Sequence, residues 1–404
     1  MKVAAIIAEY NPFHNGHLYQ LKKIKEILGD DTAIVAIMSG NYTQRGEVAI
    51  ADKTVRARAA VDCGVNLVLE IPFPHSMSSA EFYAKNGVHI ANSIGVVDYL
   101  VFGSECGDTE ALAKVAKNMT TSEFTERMSQ AKTGEGRELG YPALCEAVYR
   151  EIYGDDDIHG LLTPNNILGF EYIKALAEIK SNIIPITIKR EGTGYNDDFA
   201  AGESLQSASA IRKLMRGDFI SALEYIPNLA KDAFLSAYRA EKTPTDESKL
   251  DSAVISFFRL NSPVGECDIH DASGGLYNRL QDASFEANSI SALIKNSETK
   301  KYTNARLRRA VWYSYFGVTS SEVRMPPRYT QILAFDDTGR KLLKVIKKVS
   351  DFPVITKPSD GALPGDTARA QKERCNKADS VFTLTEPLPD SGRFPLIFTP
   401  YVKK

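Results

Sequence analysis

The sequence predicts an α/β protein whose first domain is built on a parallel sheet and whose second domain is mainly helical, with a small α/β tail. Short β-rich apolar runs alternate with helical patterns through the first hundred residues, and each run ends at a polar or glycine-bearing turn. Such alternation is typical of βαβ units, in which helices cover both faces of a parallel sheet. Beyond Gly217 the pattern becomes mostly helical, which indicates a second domain.

The first predicted elements follow one another closely along the chain. Leucines and isoleucines recur at helical spacing after the first strand, so we predict the first helix from about Gly16 to Leu28, with Gly29 as its C-terminal stop. The four predicted strands of this region are Val3 to Ala8, Thr32 to Met38, Asn66 to Ile71 and Asp98 to Val101.

The α/β pattern continues to about residue 190. Asn165 to Ile179 reads as a helix and Ile183 to Ile188 as a buried strand. A serine-capped helix then begins near Ser207.

The length of the chain favours more than one core. Its 404 residues exceed what one core usually organises, so two or three domains are expected. We assign residues 1–217 to the first domain and residues 218–404 to the mainly helical second domain. Strand-like runs and a lysine-bearing helix at about 329–356 form the predicted tail.

Composition excludes several classes of protein. No apolar run approaches the roughly 20 residues of a membrane span, and the N-terminal run is too short for a signal peptide, so we expect a cytoplasmic protein without a membrane anchor. A net charge of −2 argues against a protein that is basic throughout, although local patches can still bind RNA. The five cysteines lack CxxC spacing, which indicates reduced thiols and no protein-bound metal. No feature indicates an obligate protein partner.

The segment from Glu9 to His17, which reads EYNPFHNGH, lies between the first strand and the first helix. Ligands bind at this carboxyl edge of parallel sheets. Gly16 permits close approach of the backbone, the helix N-terminus attracts phosphate, and His14 and His17 can donate hydrogen bonds as pyrophosphate leaves. We therefore predict a nucleotide site here; incidental surface or core histidines are the alternative.

A second cluster follows the second strand. The stretch from Met38 to Glu47 contains two glycines, and Arg45, Lys53 and Arg56 supply cations. This combination suits a triphosphate or its magnesium complex. A glycine-rich surface loop with solvated charges is the alternative.

Several stretches together resemble one family, the bacterial tRNA(Met) cytidine acetate ligases of the HxGH nucleotidyltransferase superfamily. The resemblance covers the first 215 residues nearly continuously and resumes in the second half. It rests on EYNPFHNGHLYQL, SGNYTQRGE, ADKTVRARAAVDCGVNLVLEIPF, LVFGSE, TPNNILGFEYIKAL, SASAIR, KKYTNARLRRAVWYSYFGV and MPPRYTQILAFDDTGRKLL.

The resemblance implies a Rossmann-like nucleotidyltransferase domain and an ATP-dependent ligase. Such an enzyme joins acetate to ATP with Mg²⁺, forming acetyl-adenylate and pyrophosphate. It then passes the acetyl group to the exocyclic amine of the wobble cytidine of elongator tRNA(Met), giving N-acetylcytidine.

The resemblance also implies site residues. Ser207 and Ser209 would face the leaving pyrophosphate, although a plain helix cap is the alternative for Ser207. The catalytic candidates are His14, His17, Lys53 and Arg212. The ATP-binding candidates are Ile7, Ala8, Glu9, Tyr10, Asn11, Pro12, Phe13, His14, Asn15, Gly16, His17, Leu18, Tyr19, Gln20, Gly103, Asn165, Arg190, Ser207 and Ser209.

A basic and aromatic segment is the candidate for tRNA binding. Cations among Tyr302, Trp312 and Tyr313 suit phosphate contacts and base stacking, whereas an amphipathic helix with solvated cations is the alternative. The return of the resemblance here favours RNA. The candidates are Lys300, Lys301, Arg306, Arg308 and Arg309.

Two other functions use the same motif. A small-molecule nucleotidyltransferase would make a dinucleotide cofactor from ATP but would leave the second half of the chain unexplained. An RNA-binding module could retain the fold without catalysis. Acetate-dependent pyrophosphate exchange separates the ligase from both.

Overall fold

The computed structural model describes residues 1–133, 141–154, 161–190, 206–261, 268–299, 301–356, 363–393 and 397–404. Strands and helices alternate through the first hundred residues, as predicted, and among the described residues four consecutive helices then precede the fifth strand. These elements are β1 (Val3–Ala8), α1 (Asn15–Leu28), β2 (Ala33–Ser39), α2 (Lys53–Asp62), β3 (Leu67–Ile71), α3 (Ala80–Ser93), β4 (Tyr99–Ser104), α4 (Thr109–Asn118), α5 (Ser122–Thr133), α6 (Tyr141–Tyr153), α7 (Pro164–Glu178) and β5 (Ile184–Lys189).

The remainder of the described chain is mostly helical. Its helices are α8 (Ala208–Gly217), α9 (Phe219–Ala222), α10 (Asn228–Arg239), α11 (Asp251–Leu260), α12 (Leu276–Ser284), α13 (Ile290–Ser297), α14 (Asn304–Phe316), α15 (Ser320–Arg324), α16 (Asp337–Val349) and α17 (Gly365–Phe382). Its strands are β6 (Thr330–Phe335), β7 (Val354–Ile355) and β8 (Tyr401–Val402).

The sheet has the order β5-β4-β1-β2-β3-β6-β7, and β8 pairs with β6. The first five strands are mutually parallel, which confirms the predicted α/β fold class. Along β1, Val3, Ala5 and Ile7 pack into the core on one face, while Ala4 and Ile6 pack into the core on the other. Both faces are apolar because helices cover both, so the strand reads as a continuous hydrophobic run.

The predicted α/β tail does not stand apart from the first domain. Strand β6 lies antiparallel to β3, and its apolar side chains Ile332 and Leu333 are buried in the two cores of the sheet. Without β6, the edge of β3 would expose unpaired backbone groups. The boundary at residue 217 stays a prediction for where the helical pattern begins, but the chain returns to the sheet after residue 329.

A further core lies between the helices of the second half of the chain and the loops that contact them. It is formed by α11 to α15 and α17, and it includes Tyr42 and Phe73 from loops of the first domain. The helical segment is therefore packed directly against the loops at the carboxyl edge of the sheet. Within the described ranges, no helix is both long enough and apolar enough to cross a membrane.

Candidate active site

A cavity of about 240 Å³ opens at the carboxyl ends of β1, β4 and β5. Most of the residues predicted to bind ATP line it, together with residues from α3, α7 and the loop between β2 and α2 (residues 40–52, the β2–α2 loop). The predicted residues in its wall are Ile7, Ala8, Glu9, Tyr10, Asn11, His14, Gly16, His17, Tyr19, Gln20, Gly103, Asn165, Arg190 and Ser207. Pro12, Phe13, Asn15, Leu18, Ser209, Lys53 and Arg212 lie outside it.

The two histidines of HNGH form the N-terminal cap of α1. The Gly16 N–H donates to His14 Nδ1 at 3.0 Å, and the His14 N–H donates to His17 Nδ1 at 3.2 Å. Their ring centroids lie 3.9 Å apart. Since each Nδ1 accepts a hydrogen bond, the proton of each neutral imidazole lies on Nε2, which remains available as a donor.

Both imidazoles are held neutral. Burial, followed by the nearby charges of Arg190 and Arg212, lowers the pKa of His14 to about 3. Burial, His14 and Arg190 likewise place the pKa of His17 well below its ordinary value. Neutral donors at a helix N-terminus can bind phosphate oxygens without a proton having to leave or arrive.

The imidazole of His14 leaves no room for a side chain at position 16. A Cβ at this position would lie 2.8 Å from Cε1 of His14 and 3.1 Å from its Nδ1. Any other residue would displace the imidazole that caps the helix. The glycine of HNGH thus positions a histidine as well as admitting a ligand.

Asn165 and Arg190 meet across the mouth of the cavity. Arg190 Nη1 donates to Asn165 Oδ1 at 3.3 Å, and Asn165 Nδ2 donates to Glu105 Oε1 at 2.6 Å. A Cβ on Gly103 would lie 3.2 Å from Cγ of Arg190, so this glycine leaves room for the arginine. The prediction that these three residues share one pocket matches their positions.

Lys53 is placed differently from the prediction. Its Nζ lies 2.6 Å from Glu70 Oε1 and 2.5 Å from Asp379 Oδ2, and the side chain is buried. Burial alone would lower the pKa of Lys53, but Asp379 and Glu70 together raise it well above its ordinary value. The ammonium is therefore bound in a salt bridge outside the cavity, contrary to the catalytic role predicted for it.

Arg56 also serves the fold rather than a phosphate. Its guanidinium donates to the carbonyls of Glu9 at 2.6 Å, Ser39 at 3.2 Å and Gly40 at 2.5 Å. These carbonyls follow or end the two central strands, where no further strand pairing satisfies them. In the same glycine-rich stretch that was predicted to bind a triphosphate, Gln44 and Arg45 do line the cavity.

The serine-rich motif at residues 207–212 packs beside the cavity, and its Arg212 lies outside the cavity wall. Arg212 donates to the Asn11 carbonyl at 3.0 Å and to Glu47 Oε2 at 2.8 Å, so it joins α8 to the loop that precedes α1. Ser207 accepts the Ala210 N–H at 3.2 Å, which is the helix-cap alternative, although it also borders the cavity. Ser209 is exposed and lies away from the cavity.

The basic segment on α14 is largely paired with acids. Arg308 Nη2 contacts Glu247 Oε2 at 2.5 Å, and Arg309 Nε contacts Asp271 Oδ2 at 2.6 Å. The Arg309 side chain is only 7% exposed. These two guanidiniums therefore bind the protein's own carboxylates, contrary to the predicted contacts with tRNA.

The other members of this segment have different surroundings. Arg306 lies over the ring of Tyr302 at 5.0 Å, and the exposed Lys301 lies over the same ring at 5.2 Å. Trp312 and Tyr313 are fully buried in the helical core, so neither ring offers a stacking surface. Lys300 lies outside the described residues.

Sequence reasoning missed the aromatic wall of the cavity. Tyr83 on α3, Phe102 on β4 and Tyr172 on α7 line it together with Leu168. Phe102 is adjacent to Gly103, and Tyr172 lies on the same helix as Asn165. The positions of these two aromatic residues could therefore have been inferred from the predicted site residues beside them. No predicted site residue lies near Tyr83 in the sequence, because α3 approaches the site only in the folded protein.

These features define a class of protein: a parallel sheet whose first helix begins at paired neutral histidines above an open cavity is the arrangement of HIGH nucleotidyltransferases. The family model described as HIGH Nucleotidyl Transferase matches residues 1–390. The chain is 38% identical over 376 residues, 89% of each sequence, to a protein of Acetivibrio thermocellus named tRNA(Met) cytidine acetate ligase. A protein of the same name from Caldanaerobacter subterraneus is 36% identical over 388 residues, 95% of each.

Solved structures agree with this assignment. The crystal structure of Thermotoga maritima TmcAL bound with alpha-thio ATP is 30% identical, with a TM-score of 0.89 and full coverage of both chains. Its apo form has a TM-score of 0.91, covering 100% of this chain and 99% of the other. The chain belongs to the tRNA(Met) cytidine acetate ligase family of ligases, which confirms the resemblance seen in the sequence.

Proposed function

We propose that the protein activates acetate with ATP and transfers the acetyl group to the wobble cytidine of elongator tRNA(Met). The observation that carries the proposal is the pair of neutral histidines at the N-terminus of α1, with both Nε2–H groups available as donors at the cavity. The names of the relatives, and the ATP analogue bound by the Thermotoga maritima protein, support the choice of substrates.

In the first step, an oxygen of acetate attacks the α-phosphorus of ATP and pyrophosphate leaves. A carboxylate is already a competent nucleophile, so catalysis rests on positioning and on stabilising negative charge. His14 and His17 donate to the phosphoryl oxygens as charge builds there. Arg45 and Arg190 line the same cavity and add positive charge near the phosphates.

Magnesium enters this proposal as part of the substrate, held by the phosphates of ATP. Among the described residues, the group of three metal-ligating side chains is Glu70, Cys375 and Asp379. The ammonium of Lys53 already lies between two of them, and the group does not line the cavity. This set does not fit a resident metal.

In the second step, the cytidine amine attacks the acetyl carbonyl and AMP leaves. We place this reaction in the cytoplasm, with the helices beyond residue 217 guiding the tRNA towards the cavity. Among the described members of the basic segment, Arg308 and Arg309 are held in close ion pairs, which leaves the exposed Lys301 and the half-buried Arg306, whose Nε lies 3.9 Å from Asp271 Oδ1. They are our candidates for phosphate contacts.

The direct test is incubation of the purified protein with radiolabelled acetate, ATP, Mg²⁺ and unmodified elongator tRNA(Met). ATP-dependent labelling of a cytidine is the expected result. Absence of labelling together with absence of acetate-dependent pyrophosphate exchange would overturn the proposal. ATP turnover with a phosphorylated small molecule would then favour the dinucleotide-forming alternative, and absence of any ATP turnover would favour an RNA-binding module.

A further inference from the structure

Glu9 places a carboxylate in a cavity that otherwise suits anions. It follows β1 directly and lines the same cavity as His14 and His17. Its Oε1 accepts the Gln44 N–H at 2.8 Å, and its backbone carbonyl accepts Arg56 Nη1 at 2.6 Å. Within the described part of the chain, Oε2 has no hydrogen-bond donor. One carboxylate oxygen is thus fixed in direction while the other is left for a ligand.

The surroundings of this carboxylate favour proton uptake. Burial raises the pKa of Glu9, and the negative charge of Glu47 adds to that effect. The Gln44 N–H and the cations of Arg212 and Arg45 act in the opposite direction without reversing it.

Three further titratable groups face Glu9 from the packed helices. Arg56 lies beneath it on α2, while Tyr83 on α3 and Tyr172 on α7 feel its charge from the aromatic wall. Burial raises the pKa of both tyrosines, so they stay protonated at neutral pH and do not compete as bases.

The histidines of the cavity cannot take this proton. Each Nδ1 already accepts a backbone N–H, and each Nε2 carries the proton that makes it a donor. Among the described residues of the cavity wall, Glu9 is the sole carboxylate. The donors and the acceptor of the site are therefore different residues.

We propose that Glu9 is the base that accepts the proton of the cytidine amine during acetyl transfer, a role that rests on the proposed function. The amine nitrogen forms a bond to the acetyl carbon, and the bond between that carbon and the phosphate oxygen of acetyl-adenylate breaks. AMP leaves with the electron pair, one amine proton moves to Oε2 of Glu9, and water later receives it. The Nε2–H groups of His14 and His17 bind the departing phosphate.

The test separates the two half-reactions in a Glu9→Gln variant. The first is measured as acetate-dependent pyrophosphate exchange, and the second as single-turnover transfer from synthetic acetyl-adenylate to tRNA(Met) without ATP. We expect transfer to fall about 100-fold or more, the usual contribution of a general base, and exchange to fall less than about tenfold. In the wild type, transfer should decline as the pH falls, at a higher pH than for an exposed glutamate, and this acidic limb should be absent from the variant.

Glu171→Gln is the matched control. Glu171 is also buried and burial also raises its pKa, but it lies outside the cavity and pairs with Lys174. Both half-reactions should survive that change.

The outcomes are distinct. Equal loss of exchange and transfer in Glu9→Gln would overturn the inference and assign Glu9 to adenylate formation. Unchanged transfer would overturn it as well. Failure of the wild type to transfer from acetyl-adenylate would instead overturn the proposed function.

Discussion

At the scale of single residues, the site depends on where two imidazole protons lie. The backbone N–H groups of Gly16 and His14 fix them by donating to the Nδ1 atoms of His14 and His17. A protonated ring would carry a proton on Nδ1 as well and would lose these contacts. The same hydrogen bonds therefore orient the rings and leave Nε2–H for phosphate, while burial keeps both rings neutral.

We expect His17→Ala to reduce adenylate formation about 100-fold or more while leaving the fold intact, because one donor to the transition state is lost. Acetate-dependent pyrophosphate exchange measures the rate, and circular dichroism checks the fold. His89→Ala is the control, since His89 contacts the Pro327 carbonyl away from the cavity. Exchange at the wild-type rate in His17→Ala would remove the histidine from the mechanism.

His14 should also make stability depend on pH. Its pKa is about 3 in the folded protein, against an ordinary value of 6.5, so the unfolded chain binds the proton more readily. Its contribution is therefore complete above pH 6.5 and is lost as the pH falls towards 3. Between pH 6.5 and pH 5 the loss amounts to about 2 kcal/mol.

His14→Asn isolates this contribution, because asparagine also caps helices well. Urea unfolding of both proteins at pH 7 and pH 5 provides the measurement. The variant should lose less stability on acidification than the wild type. Identical losses would mean that His14 is not held neutral by the fold.

At the scale of elements, the β2–α2 loop is held against α14. Gly46 has a φ of +78°, and a Cβ there would lie 2.7 Å from the backbone nitrogen of Arg309. The side chain of Arg308 donates to the Gly46 carbonyl at 3.3 Å. Since Gln44 and Arg45 of the same loop line the cavity, the helical segment supports one wall of the active site.

Gly46→Ala should lower the free energy of unfolding by about 1–3 kcal/mol, because the backbone conformation is unfavourable for alanine and the helix must move. Chemical denaturation measures the change. Gly217→Ala is the control, since a Cβ there meets no atom within 4 Å. A Gly46 variant as stable as the control would mean that α14 is not tightly docked.

The sequence predicted elements better than contacts between distant elements. The predicted start of α1 at Gly16 lies within one residue of its observed start at Asn15, because its glycines and apolar spacing are local signals. The partners of Lys53 and Arg309 were not predictable in this way, because Asp379 and Asp271 lie 326 and 38 residues away along the chain. The sequence alone does not distinguish a lysine or arginine that binds phosphate from one that pairs with a buried carboxylate.

At the scale of the whole molecule, one buried ionic network joins the first domain to helix α17, near the C-terminus. Lys53 at the start of α2 contacts Glu70 on β3 and Asp379 on α17, and Asn41 donates to Asp379 at 3.0 Å. Cys375 lies beside the same carboxylates. Burial raises the pKa of Glu70 and Asp379, so the ammonium is what allows two carboxylates to remain buried together.

Lys53→Met should therefore lower the free energy of unfolding by about 3–5 kcal/mol at pH 8, because it leaves buried carboxylates without a counter-charge. The loss should be smaller at pH 5: the pKa values of the carboxyls are raised in the fold, so the folded protein takes up protons there and relieves the unpaired charge. Urea unfolding at the two pH values tests both statements. Lys85→Met is the control, because Lys85 pairs with the partly exposed Glu81 and Glu178 and such pairs contribute at most about 1 kcal/mol. A Lys53 variant of full stability that has lost pyrophosphate exchange would contradict this assignment and return the lysine to the ATP site.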